Sequence, residues 1–147
     1  MSNQYRPPHA RVADPAAGAR PRSIDAALVF IGMLVLVECY HQVMNLREVH
    51  NGEMSGLAWV VDWIWVVAII ASGIFVARGR NWARWVFAII TLHVIYEYLD
   101  ARLFLSGFGD GAAEFFDPFS LWILPMSSLF AIGATILSFG PGRAWFR

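Results

Sequence analysis

LAWVVDWIWVVAIIASGIFVA, residues 57–77, is an apolar run of 21 residues in which Asp62 is the one charged group. A bilayer hydrocarbon core is about 30 Å thick and a helix rises about 1.5 Å per residue, so roughly 20 residues cross it. Three further runs of similar length flank this one, at 24–45, 82–101 and 119–139. In lipid an isolated run satisfies its own backbone hydrogen bonds only as a helix. Strand alternation is absent, which argues against an outer-membrane barrel. The expected fold is therefore all-α: a four-helix transmembrane bundle with up-down-up-down order, since the short link Arg78-Gly79-Arg80-Asn81 forces helices two and three to be antiparallel neighbours.

Composition agrees. Of the 147 residues, 58% are apolar and 15% charged, against about 45–50% and 25% in soluble domains. That leaves too little polar surface for a soluble enzyme, a disulfide-stapled secreted domain or a nucleic-acid binder. A single cysteine, Cys39, excludes an internal disulfide pair and a CxxC redox motif. Phosphate-binding and nucleophile-elbow motifs are absent, as is lysine for a Schiff base. No enzyme activity and no cofactor are expected. The bilayer is the first partner, and a second copy or another membrane protein is the next.

The basic residues set the orientation. All eleven are arginines. Nine fall on one side: Arg6, Arg11, Arg20 and Arg22 in the N-terminal tail, Arg78, Arg80 and Arg84 at the turn between helices two and three, Arg143 and Arg147 at the C-terminus. Only Arg47 and Arg102 fall on the other. The positive-inside rule then puts both termini in the cytoplasm, and loops 46–56 and 102–118 outside. Glu48, Glu53, Asp100, Asp110, Glu114 and Asp117 lie in or beside those outer loops. Residues 1–23, with four prolines, read as a mobile cytoplasmic tail, and 140–147 as a short basic one. The first run is too long for a signal-peptide core and is read as a retained span.

Helix ends are marked by residue chemistry. Ser23 and Asn81 are the expected caps of helices one and three. Asp117-Pro118 opens helix four, and Gly140-Pro141-Gly142 closes it. Ser127, Ala131 and Thr135, with Ser128, Ala134 and Ser138 beside them, form a stripe of small residues on helix four. Such a stripe serves close packing within the bundle or dimerisation. Phe104, Phe108, Phe115 and Phe116 suggest that the second outer loop lies on the membrane surface or over the bundle mouth.

Ionisable side chains inside a span cost about 2.5–3.5 kcal/mol each on insertion scales. Five occur here: Glu38 and His41 on one face of helix one, Asp62 on helix two, His93 and Glu97 on one face of helix three. Depth is counted from Ala26, Ala77, Trp85 and Phe139. Glu38, Glu97 and Ser127 lie 12 residues in, His41 and Asp62 lie 15, and His93 lies 8. Most of the set thus shares one level, about 18–22 Å from the cytoplasmic edge.

Three functional readings follow. The five groups form a proton or cation relay, with histidine titrating near neutrality. Glu38, His41 and Glu97 are instead candidate ligands of a carboxylate-rich metal site. His41 and His93 are candidate axial ligands of a haem, although their different depths disfavour it. The structural alternative is a set of interhelical bonds that fixes helix register.

The string RGRNWARW (78–85), the aromatic start of helix three, the Gly- and Phe-containing outer loop and the basic C-terminal end resemble the YbjO-like family of small four-span bacterial inner-membrane proteins. The likeness covers under half the chain. It implies a multi-pass inner-membrane location, but no activity and no functional residues.

Overall fold

The structure, a computed structural model, describes residues 20–107 and 118–146. These residues form four long helices, α1 (Arg22–His50), α2 (Gly56–Ala77), α3 (Asn81–Ser106) and α4 (Pro118–Phe139), then a single 3-10 turn at Arg143–Trp145. No strand occurs among them.

The helix ends differ from expectation in ways the local chemistry explains. The helix α1 opens on Pro21, whose carbonyl accepts from the N–H groups of Ile24 and Asp25 at 2.9 and 3.2 Å. Ser23 therefore lies inside the first turn and does not cap it. Proline's fixed φ, here −61°, already sets the entry geometry. Similarly Arg80 occupies the cap position of α3 without a side-chain bond, and Asn81 is the first helical residue. The cap that does form is Ser55, which accepts from Ala58 N–H at 3.1 Å and starts α2.

Two helices also run further than expected. The helix α1 continues past residue 45 to His50, with Arg47 and His50 in its last turn, where positive charge suits the dipole. The helix α3 takes in residues 102–106 of the expected outer loop. Residues 108–117 of that loop, including Asp110, Glu114, Asp117, Phe108, Phe115 and Phe116, lie outside the described residues, as does the tail 1–19.

Each helix packs on two others: α1 on α2 and α4, and α3 on α2 and α4. The core is a seam of residues three and four apart: Ile24, Ala27, Ile31 and Leu34; Ile69 and Val76; Ala83, Phe87, Ile90 and Val94; Ala131 and Ala134. The small-residue stripe of α4 belongs to this seam. Ser127, Ser128, Ala131, Ala134 and Ser138 are all buried. Thr91 ties α3 to it, bonding Thr135 Oγ1 at 2.8 Å and donating toward Ala131 O at 3.3 Å. The stripe is thus engaged inside the molecule, which leaves it unavailable as a dimer face. Gly133 lets the Phe30 ring approach, since a Cβ there would stand 3.1 Å from it.

The outer faces are apolar on all four helices: Val29, Leu36 and Val43; Leu57, Ile64 and Val67; Ile89, Leu92 and Leu103; Leu129 and Ile136 are all more than half exposed. Apolar surface outside and small polar groups inside invert the arrangement of a protein dissolved in water. Among the described residues three helices are long and apolar enough to cross a membrane: Arg22–His50, Gly56–Ala77 and the Trp122–Phe139 part of α4. The helix α3, expected to hold a fourth span at 82–101, is long enough but not in that set. Arg84, His93, Glu97 and Asp100 dilute its apolar character.

The turn between α2 and α3 is fixed twice over. Gly79 has φ +69°, and a Cβ there would meet Trp145 O at 2.8 Å. Gly52 has φ +77° with open space around it. Gly52→Ala should cost only the left-handed backbone penalty, about 1–2 kcal/mol. Gly79→Ala should cost measurably more, because Trp145 must also move. Thermal unfolding midpoints of the two variants in detergent, compared with wild type, measure the difference.

Candidate functional site

The seam that is apolar near the α2–α3 turn becomes polar toward the other end of the molecule. On α1 it continues from Leu34 to Glu38, His41 and Gln42. On α2 it runs outward from Ile69 to Trp65 and Asp62. On α3 it runs from Ile90 to His93, Val94 and Glu97. All of these except Leu34 line one cavity of about 90 Å³. All five ionisable residues singled out by the sequence are brought together here.

Hydrogen bonds fix several of them. Ser127 Oγ, on α4, donates to Glu38 Oε1 at 2.8 Å, matching the shared depth expected for these two. His93 Nε2 lies 3.1 Å from Glu97 Oε1, one turn away on the same face. Trp65 stacks on the His93 imidazole with ring centroids 4.1 Å apart and planes 15° apart. That contact holds the ring flat against α2. Although His93 was expected to lie shallower, it reaches the same cavity because positions i and i+4 meet on one helix face.

Two residues that the search for ionisable groups passed over complete the site. Gln42 is 3% exposed, and its Oε1 is buried without a hydrogen-bond partner. Its backbone carbonyl accepts the Trp59 indole N–H at 3.1 Å, which pins α1 to α2 beside the cavity. Trp65 is the other. Their signal in the sequence is spacing alone: Gln42 follows Glu38 by four and Trp65 follows Asp62 by three.

The cavity lies beside two further pockets toward the end of the molecule that carries Glu48 and Arg102. His41 lines it and also a vestibule of about 250 Å³ between α1, α3 and α4, whose polar wall is Asn45, Glu48, Tyr98 and Arg102. Beside these runs an open groove of about 680 Å³ that His41 shares with His93, Glu97 and Asp100. Glu97, half exposed, stands at the rim. Asp100 belongs to this groove and not to the inner cavity. Toward the opposite end the seam is closed by Leu34, Ile69, Phe87 and Ile90.

The cofactor readings fare differently. Among the described residues no three His, Cys, Asp or Glu side chains are grouped closely enough to hold a metal ion, and Glu38, His41 and Glu97 are no exception. His41 and His93 do face one space, but about 90 Å³ is small beside the roughly 300–1,000 Å³ of ordinary cofactor pockets. Cys39 is a half-buried free thiol that does not line the cavity.

The arginines of the expected cytoplasmic turn lie at the far end. Arg80 is exposed, and Arg78 lies over Phe75 at 5.8 Å. Arg84 is partly buried, with its guanidinium 5.0 Å from the Phe139 ring centroid and 5.3 Å from that of Phe146. Trp145 Nε1 donates to Val76 O at 3.2 Å, which folds the chain end beneath the turn.

Ser127→Ala removes the donor to Glu38 and should lower stability by roughly 0.5–2 kcal/mol, the range for interhelical hydrogen bonds in membranes. Ser127→Thr should retain most of it. Unfolding of both variants in mixed detergent micelles is the measurement. No known protein family, no curated protein and no solved structure matches this chain.

Proposed function

We propose that this chain is an integral protein of the bacterial inner membrane that takes up protons or cations from the outer side into the cavity of Glu38, His41, Asp62, His93 and Glu97. The reading rests on one observation: five costly ionisable groups from three helices share a single cavity. Side chains exposed singly to lipid would each carry the insertion penalty, whereas grouped ones supply each other with partners.

In this reading all four helices span, in an up-down-up-down bundle with both termini cytoplasmic. The contacts between neighbours support the antiparallel order. Phe30 meets Phe130 and Glu38 meets Ser127, so rising numbers on α1 pair with falling numbers on α4. The same holds for Trp85 with Phe139 and Thr91 with Thr135 between α3 and α4. For α3, the exposed Ile89 and Leu92 give it an apolar outer face like those of the other helices. Its charges turn toward the cavity or the ends. The nine-to-two arginine bias supports the inner membrane and the orientation.

The geometry also bears on mechanism. Protons arriving through the groove meet His41 and Glu97 first. The His93–Glu97 contact passes a proton between imidazole and carboxylate without backbone motion. Since apolar side chains close the seam below, the site serves reversible uptake, as in an accessory subunit or a small transporter, and not an open pore.

Glu38→Gln and Glu97→Gln test the proposal. In reconstituted wild type, infrared difference spectra between acid and alkaline conditions should show a carboxyl band from this cavity. Each variant should lose part of that band while unfolding near the wild-type temperature. An unchanged band in both variants would sink the proposal. The Glu38–Ser127 bond also favours a second reading, in which the cluster only fixes helix register. Loss of stability in every variant, with no titrating band in wild type, would select it.

A further inference from the structure

Resting on the membrane reading but not on the polar cavity, we infer that the arginine-rich end of the molecule binds an anionic phospholipid of the adjoining leaflet, gripping its headgroup phosphate chiefly through Arg78 and Arg80. Three segments meet at this end. A Cβ on Gly79, in the α2–α3 turn, would stand 2.8 Å from Trp145 O, and one on Gly142 would meet the Ile24 side chain. The turn, the last residues of the chain and the start of α1 therefore share one surface. It carries Arg20, Arg22, Arg78, Arg80, Arg84 and Arg143 against a single described acid, Asp25, and Arg20 takes that carboxylate. By sequence, segment 1–19 and residue 147 add three more arginines and one acid, Asp14.

The remaining arginines have no acid to turn to. Arg22, Arg78, Arg80 and Arg143 are exposed, and among the described residues the ion pairs are Arg20–Asp25 and His93–Glu97. Like charges gathered on one surface repel each other, and an anion from outside relieves that. The helix α3 opens beside them at Asn81 with no side-chain cap, so its dipole adds positive potential at the same place. A guanidinium suits phosphate in particular, because its planar fork donates to two oxygens at once.

The surroundings select a lipid as the source of that phosphate. Trp82 and Trp85, in the first turns of α3, are more than half exposed, as befits rings at a headgroup boundary. Arg78 lies over the Phe75 ring at 5.8 Å, and that ring meets Trp82 at 4.8 Å. A guanidinium and an aromatic wall are thus joined on one side of the turn. Ile74, one turn before Arg78, and Val86, one turn after Trp82, are exposed on the same helix faces. A phosphate at Arg78 and Arg80 therefore has apolar surface alongside for its acyl chains, which a soluble anion leaves unused. A zwitterionic head brings its own positive charge and gains less from the arginines.

The test is native mass spectrometry of the full-length protein released from nanodiscs of equal phosphatidylglycerol and phosphatidylcholine. Phosphatidylglycerol should be retained over phosphatidylcholine by about 25-fold, about fivefold for each of the two arginines. Arg78→Gln combined with Arg80→Gln should bring the two lipids near parity. Arg47→Gln, at the opposite end, should leave the preference unchanged. Should the double variant fail to fold, Arg80→Gln alone reads the fivefold loss. Equal retention of both lipids by wild type overturns the inference. So does an equal fall in Arg47→Gln and Arg80→Gln, which marks diffuse attraction to charge, and so does equally tight binding of soluble glycerol phosphate. The infrared carboxyl band is read on the same samples. Its absence with the lipid preference intact removes the proton reading alone, and the reverse removes the lipid site alone.

Discussion

Lipid offers neither hydrogen bonds nor counter-charge, so a polar side chain on a spanning helix takes its partner from another helix. In this molecule the requirement is met along one seam. Near the α2–α3 turn the seam is Ile, Leu, Phe and Ala, with the Thr91–Thr135 bond as its polar clasp. Farther along, the same helical positions carry Glu38, Asp62, His93 and Glu97. The Ser127–Glu38 bond joins the two halves, because Ser127 continues the run of Ala131, Ala134 and Ser138 on α4. Small residues on that helix bring it close enough for its hydroxyl to reach a carboxylate on α1.

Closeness of this kind leaves a remainder. Three carboxylates, two imidazoles and one amide do not pair completely. Glu38 has Ser127, Glu97 has His93, and His93 has the face of Trp65. Gln42 Oε1 has none. A cluster whose sole role was register would pair its members or replace them with apolar groups of similar size. Here five ionisable side chains from three helices line one space. That sharing carries the functional reading.

The opposite end is built for rigidity. The α2–α3 turn, the buried side of Arg84 and the folded-under Trp145 and Phe146 interlock through ring and guanidinium contacts. Arg84, at the start of α3, thus has a packing role.

Helix number, approximate limits, the polar level and the five ionisable residues were all legible in the chain, because apolar run length and i, i+3, i+4 spacing are local properties of a helix. Helix ends were less so. Pro21 displaced Ser23 as the opening residue, and α1 outran its apolar run, since charged residues such as Arg47 and Glu48 can continue a helix beyond the hydrocarbon. Neither Gln42 nor Trp65 stood out among uncharged neighbours. Only the packing of α1 and α3 against α2 and α4 decided which faces meet, that the small-residue stripe lies inside, and that one amide oxygen is left without a donor. Those outcomes depend on how helices distant in sequence rotate and approach, and no local pattern encodes that.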